Sequence, residues 1–298
     1  MTLSEGHDQV VVGVDGSPAS ASAVRWAAAT AAGRRRPLRI VHVIDFSPTG
    51  YSGAPYVESA KVFEWAEEDG RILLSDALAA ARAIASDLEI ECTLVPAGGS
   101  RWFVEESRRA RMIVLGASGS GRIGEALLGS TPVVVASHGH CPVVVVRGDS
   151  FDATAPVVVG VDGSAVSDRA VAVAFAEAAQ RKVALVAVHA WSDVKVGTFS
   201  GTDRAELVEP EAFEQSEQVL LAERLSGYCE QYPDVVVHRE IYLDGPRVHL
   251  QAWSEKAQLV VVGSRGRGGF TGLLLGSTSN GLIRDAHCPV MVVRPESV

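Results

Sequence analysis

Lysine is scarce in this chain: only four occur in 298 residues, and the formal net charge is −9. Affinity for nucleic acid comes largely from neutralising backbone phosphates with basic side chains, so this balance argues against a nucleic-acid partner. None of the four lysines lies in a glycine-rich stretch, which excludes a G-x-x-x-x-G-K-[ST] phosphate loop. Cysteine is equally sparse. Four residues in so long a chain cannot make a disulfide framework, and Cys141 and Cys288, each just before an apolar run, read as small buried hydrophobes. No apolar run approaches the roughly 18 residues that span a bilayer, so no membrane segment is expected. The opening MTLSEGHDQ has neither the basic nor the apolar region of an export signal, which points to the cytoplasm. The one basic run, Arg34-Arg35-Arg36, follows an alanine-rich stretch and precedes Pro37. It reads as cations at a helix C-terminus or as a small partner patch.

What the chain does have is repetition. The octapeptide VVVGVDGS at Val10–Ser17 returns unchanged at Val157–Ser164, 147 positions later. LLGST at Leu127–Thr131 returns at Leu274–Thr278, and HCPV at His140–Val143 returns at His287–Val290, with the same offset. Solenoid repeats run to about 20–50 residues, so a unit this long is a whole domain. With 47% hydrophobic residues, the chain has apolar mass for two cores. The expected organisation is a domain over 1–147, a linker over 148–155 and a second domain over 156–298.

Each half alternates strand and helix patterns. In the first, strands are expected at Val10–Val14, Leu38–Ile44, Ile90–Val95, Met112–Gly116 and Val143–Val146, apolar on both faces and rich in β-branched residues. Ser17 can cap the helix that follows, and Pro18 suits its first turn. Val24, Ala28 and Ala31 then share one helical face, matched by Val171, Phe175 and Ala178; Leu74 and Leu78, matched by Leu221 and Leu225, mark another. Strands alternating with helices imply right-handed crossovers and parallel pairing. The fold class is therefore α/β, two tandem open-sheet domains, each a five-stranded parallel sheet with helices on both faces.

Ligands of such sheets bind beyond the carboxyl ends of the strands, where strand order reverses. Asp15 and Asp162 stand at such ends. Their carboxylates can accept hydrogen bonds from ribose hydroxyls or an exocyclic amine, or can cap the following helix. After the fourth strand, half one has Gly116-Ala-Ser-Gly119, nine residues, then Gly129-Ser130-Thr131, and half two has Gly263-Ser-Arg-Gly266, nine residues, then Gly276-Ser277-Thr278. A strand, a glycine loop and a helix start present backbone N–H groups and a helix dipole to phosphate. GSGRIG at Gly119–Gly124 fits G-x-G-x-x-G, but it follows a late strand and has no acidic residue about 20 positions on, so it is no dinucleotide fingerprint.

Together, the Asp that closes the first strand, the G-x2-G-x9-G-[ST] loop and the closing CPV strand resemble the universal stress protein family, over essentially the whole chain, twice. The resemblance implies ATP or a related adenine nucleotide as cofactor, with Mg2+. It implies Asp15 and Asp162 on adenosine and main-chain groups of Val43 and Ala190 beside adenine. Phosphate would fall to Gly116, Gly119, Gly129, Ser130 and Thr131 in half one, and to Gly263, Gly266, Gly276, Ser277 and Thr278 in half two. Two substitutions set the halves apart. Pro132 stands where half two has Ser279, removing an N–H and a hydroxyl, and Glu125 enters the first loop where half two has Gly272. With Arg265 and Arg267 in its loop, against Arg122 alone in the first, half two is expected to hold triphosphate more tightly.

Catalytic residues are not evident. His42 and His189 recur at matching strand ends and read as structural. His138, His140 and Cys141 lack a second ligand group at zinc spacing, so no metal site built from protein side chains is expected. The expected function is a nucleotide-dependent regulatory or signalling protein of the stress response. Alternatives are a slow ATP hydrolase or other nucleotidyl-handling enzyme, and a nucleotide-free scaffold. The final CPVVVVR and CPVMVVR strands are apolar edges, which predicts an internal pseudo-dimer through these strands and admits a homodimer.

Overall fold

The computed structural model describes residues 8–44, 59–96, 98–118, 128–148, 152–192, 210–267 and 274–295. It divides into two compact units, Met1–Asp149 and Ser150–Val298. Unit 1 runs β1 (Val10–Gly13), α1 (Pro18–Gly33), β2 (Leu38–Val43), α2 (Ser59–Ile84), β3 (Ile90–Val95), α3 (Gly99–Glu106), β4 (Met112–Gly116), α4 (Ser130–His138) and β5 (Val143–Val146). Unit 2 runs β6 (Val157–Val161), α5 (Ala165–Arg181), β7 (Leu185–Ser192), α6 (Pro210–Gln231), β8 (Val237–Asp244), α7 (Pro246–Ser254), β9 (Leu259–Gly263), α8 (Ser277–Asp285) and β10 (Val290–Val293).

Strand order is β3-β2-β1-β4-β5 in unit 1 and β8-β7-β6-β9-β10 in unit 2. Each is a five-stranded parallel sheet. In unit 1 the chain moves outward from β1 to β3 and then, from β4, in the opposite direction. Crossovers of one hand therefore lay α1 and α2, which pack together, on one face, and α3 and α4, also packed together, on the other. The order reverses between β1 and β4, and in unit 2 between β6 and β9. Covered on both faces, the central strands need no polar side: Val10, Val11 and Val12 are 0% exposed, as are Val157, Val158 and Val159.

The helices begin where their sequences dictate. Ser17 accepts the N–H of Ser20 (3.1 Å) ahead of α1, and Ser164 accepts that of Ser167 (3.2 Å) ahead of α5, caps worth about 1 kcal/mol each. The stripes Val24, Ala28, Ala31 and Val171, Phe175, Ala178 are all buried. The Phe175 ring stacks on Tyr228 of α6 and on Tyr232 just past its end, at centroid distances of 5.4 and 5.9 Å. Of the second pair of stripes, Leu74, Leu221 and Leu225 are buried and Leu78 is half-buried. The first two strands stop a residue short of expectation, at Gly13 and Val43, although Val14 and Ile44 each still donate one ladder-like bond, to Val41 and Val95. The basic run closes α1: Arg35 takes a left-handed conformation, φ 52°, and Arg36 pairs with Asp8. Among the described residues no helix is long and apolar enough to cross a membrane.

Candidate functional site

The aspartates close the turns that follow β1 and β6. Asp162 Oδ1 accepts the N–H of Ser164 (2.9 Å), while Oδ2 accepts the N–H of Arg267 (3.1 Å) in the loop after β9. One carboxylate thus ties together the two strand ends that flank the reversal. A β-carbon on Gly266 would collide with Asp162 Oδ2, so the loop reaches the carboxylate only because residue 266 has no side chain. In unit 1, Asp15 Oδ1 accepts the Ser17 N–H (3.0 Å) and the Ser17 hydroxyl (2.6 Å). Helix capping falls to Ser17 and Ser164 rather than to the aspartates. Gly119, the counterpart of Gly266, lies outside the described residues.

The remaining loop glycines divide into two roles. Gly116 ends β4 against the start of α1, where a β-carbon would fall 2.7 Å from the backbone of Ala19 and of Ser20. Gly263 faces Val166 of α5 less tightly, a β-carbon there falling 3.1 Å from the Val166 side chain and 3.3 Å from its backbone. Their lack of a side chain lets the strand end pack against a helix start. Gly129 and Gly276 instead hold the N-cap positions of α4 and α8, offering no side-chain acceptor to the first turn. Their own N–H groups go to Ala117 (2.8 Å) and Ser264 (2.7 Å). The donors a helix start leaves without intrahelical partners are then those of Ser277, Thr278 and Ser279 in α8, and of Ser130 and Thr131 in α4, where Pro132 has none. Ser279 also corrects an expectation. Its buried hydroxyl donates to the Gly263 carbonyl (2.6 Å), joining α8 to β9, so of the two groups only its N–H is left over by the helix start.

These groups border a cleft in unit 2 of about 810 Å³, within the 300–1,000 Å³ usual for small-molecule sites. All seven residues expected in half two, Asp162, Ala190, Gly263, Gly266, Gly276, Ser277 and Thr278, line it. So do Arg247, Val248, Leu250 and Gln251 of α7, which sequence reasoning missed. Their one local signal is the helix-starting Gly245-Pro246, with Gly245 left-handed at φ 66°. In unit 1, Asp15, Val43, Gly116, Gly129, Ser130 and Thr131 lie at the carboxyl ends of β1, β2 and β4 and the start of α4.

The histidines are fastened to these strand ends. His42 Nδ1 lies 2.8 Å from the Val14 carbonyl and His189 Nδ1 lies 2.6 Å from the Val161 carbonyl, so in each case the residue before the aspartate is held. His189 Nε2 also meets Glu217 Oε2 at 3.0 Å; the counterpart of Glu217 is Gly70, where α2 runs against the His42 ring. His138 Nδ1 turns back on the Val134 carbonyl (3.0 Å). Burial pushes the Cys141 and Cys288 thiols up to about 12, as inert core residues. Among the described residues no three His, Cys, Asp or Glu side chains gather as metal ligands.

The model of the universal stress protein family matches residues 6–147 and again 154–294. A universal stress protein of Mycobacterium tuberculosis strain H37Rv is 45% identical over 294 residues, covering 96% of each chain. A second from the same strain is 42% identical, covering 98% of this chain and 99% of the other. Among solved structures, a universal stress protein from Archaeoglobus fulgidus superposes with a TM-score of 0.69 at 18% identity, covering 96% of this chain and 98% of that one, a likeness of fold. With both halves matched by the family model and relatives similar from end to end, the chain belongs to the universal stress protein family, as a tandem of two domains.

Proposed function

We propose that each unit binds an adenine nucleotide, ATP in the first instance, and that its occupancy shifts a conformational or partner equilibrium, making the protein a nucleotide-dependent regulator of the stress response in the cytoplasm. The observation that carries this reading is the convergence of Asp162, the glycine loop and the uncapped start of α8 on one cleft. The helix start offers N–H donors and a positive dipole end to phosphates. Asp162 has lone pairs beyond its two backbone bonds for a ribose hydroxyl or an amine. The apolar Val188, Leu250 and Val262 suit the faces of a base. Mg2+ binds oxygen and is usually brought by substrate phosphates. The hydroxyls of Ser277 and Thr278 fit such a pair; Mg2+ bound there would neutralise phosphate charge.

Regulation is favoured over turnover by the composition of the cleft. Asp162 is the only carboxylate among its described lining residues, and both its oxygens already accept backbone N–H groups. No histidine is among the described residues that line the cleft, and the nearby His189 is taken up by the Val161 carbonyl and Glu217. Freshly purified protein, denatured and chromatographed, should release adenine nucleotide. Calorimetry with ATP and Mg2+ should find up to two sites per chain, and a turnover assay should find no sustained hydrolysis. No released nucleotide and no ATP binding would leave a ligand-free scaffold.

A further inference from the structure

We infer that Glu217, on α6 and outside the cleft, is a positioning residue for the Asp162 carboxylate, acting through His189 and a proton that the two side chains share; this rests on the nucleotide-binding reading above. The carbonyl of Val161 and the N–H of Asp162 belong to one peptide group, at the end of β6. His189 Nδ1 lies 2.6 Å from that carbonyl, and the N–H donates to Ser167 Oγ at 3.1 Å. A side chain thus holds each edge of the peptide plane, which fixes the direction in which the Asp162 side chain leaves the backbone. His189 also immediately precedes Ala190 on the cleft wall, so one ring joins the ends of β6 and β7.

The second ring nitrogen sets the protonation. Nδ1 must carry a hydrogen to bond a carbonyl, and Nε2 stands 3.0 Å from Glu217 Oε2, another acceptor. A neutral imidazole has a single N–H, so the buried ring and the half-buried carboxylate together need one proton more than a neutral ring and a free carboxylate hold. Imidazole is the stronger base, by about two pKa units for free side chains, which leaves that proton on the ring. Arg224 of α6 and Arg267 of the loop after β9 border the same cavity of about 20 Å³ as the pair; their charge keeps Glu217 ionised and opposes an imidazolium. Asp168 of α5, 3.6 Å from Arg224, answers part of that charge. The other described neighbours are apolar: Val161 on β6, Leu220 and Leu221 on α6, and Ile241 of β8 in register with His189. As pH rises and the proton leaves, a bare Nε2 faces a carboxylate oxygen, and the hold on α6 and on the 161–162 peptide weakens. Unit 1 builds the clamp without this linkage. His42 Nδ1 meets the Val14 carbonyl and the Asp15 N–H meets Ser20 Oγ (3.4 Å), but Gly70 takes the place of Glu217, where a β-carbon would fall 2.9 Å from the His42 ring. With no carboxylate at that place, one N–H suffices for the clamp.

The test uses the full chain carrying Asp15→Ala, which silences unit 1 so that calorimetry reads unit 2. ATP with Mg2+ is titrated from about pH 6 to about pH 8, across the ordinary imidazole range. Nitrogen NMR follows the His189 ring, assigned through its own backbone, over the same series. At the low end both ring nitrogens should carry protons. ATP affinity should then fall about fivefold in step with loss of the second one, as a charge-assisted bond is given up. Glu217→Ala should weaken ATP about fivefold at the low end. Glu217→Gln, whose amide can donate to a neutral Nε2 and keep the clamp without the shared proton, should restore affinity to within about threefold. It should also leave only the pH dependence that belongs to ATP itself, so the difference between parent and E217Q isolates the pair. A ring with a bare Nε2 throughout, the same pH profile in parent and E217Q, or undiminished binding by E217A overturns the inference while leaving nucleotide binding intact. The NMR series needs no substitution at 217, so it decides even where E217A does not fold. No ATP binding by the parent at any pH overturns both readings.

Discussion

Replacing Ser279 by proline would install in unit 2 the residue that unit 1 carries at the same place, and its consequences separate cleanly. Proline at the third helical position lacks only an N–H that makes no intrahelical bond. α4, with Pro132 at that position, forms a helix of the same nine residues, so the variant should fold. The hydroxyl is lost first. Its 2.6 Å bond to the Gly263 carbonyl is made by a side chain only 3% exposed, so removing it should cost about 1–2 kcal/mol of stability, whether the replacement is alanine or proline. Loss of the N–H distinguishes the two. If that donor faces a phosphate, deleting a charge-assisted bond of about 1.5–3 kcal/mol weakens ATP about 10- to 150-fold. On an Asp15→Ala background, denaturant melts should show similar losses for S279A and S279P. Calorimetry should show ATP weakened about tenfold or more in S279P alone. Equal ATP affinity for S279A and S279P would refute the assignment of the Ser279 N–H to phosphate.

Three further outcomes are expected. Gly116→Ala forces a β-carbon to 2.7 Å from the α1 backbone, and should lower stability by about 1–3 kcal/mol, read as a shifted denaturant midpoint with unchanged slope; a neutral result would show that α1 yields at no cost. Phe175→Ala empties a fully buried site stacked on two tyrosines, and should cost about 3–5 kcal/mol in the same measurement. At pH 8 a thiol reagent should label Cys229 first and Cys92 more slowly, because burial raises the Cys92 thiol. Cys141 and Cys288, raised to about 12, stay protonated at that pH and should react only on unfolding; rapid labelling of all four in native protein would contradict their burial.

Much of the fold was legible because the signals are local. A run such as Val10-Val11-Val12 is apolar on both faces only when both faces are covered, which identifies a central strand of a layered sheet. Ser17-Pro18 and Ser164 start helices through their own backbone neighbourhood. The 147-residue offset transfers each of these readings to the second half. The glycine loops, the aspartates and the family resemblance were readable for the same reason, each residing in a short contiguous stretch.

What the sequence by itself determined is the repeat, the alternation of strand and helix, and the candidate Asp and Gly positions. Which groups meet was left to the tertiary structure. That Asp162 reaches the N–H of Arg267, 105 residues away, follows from β6 and β9 being neighbours at the reversal of strand order, which no local pattern encodes. The α7 residues joined the cleft because the third crossover returns over the same strand ends. The Ser279 hydroxyl is taken by the Gly263 carbonyl because the end of β9 lies within its reach. Periodicity and caps report the surroundings of a residue's own backbone; the partner of a side chain depends on which distant strand is laid beside it, and only packing decides that.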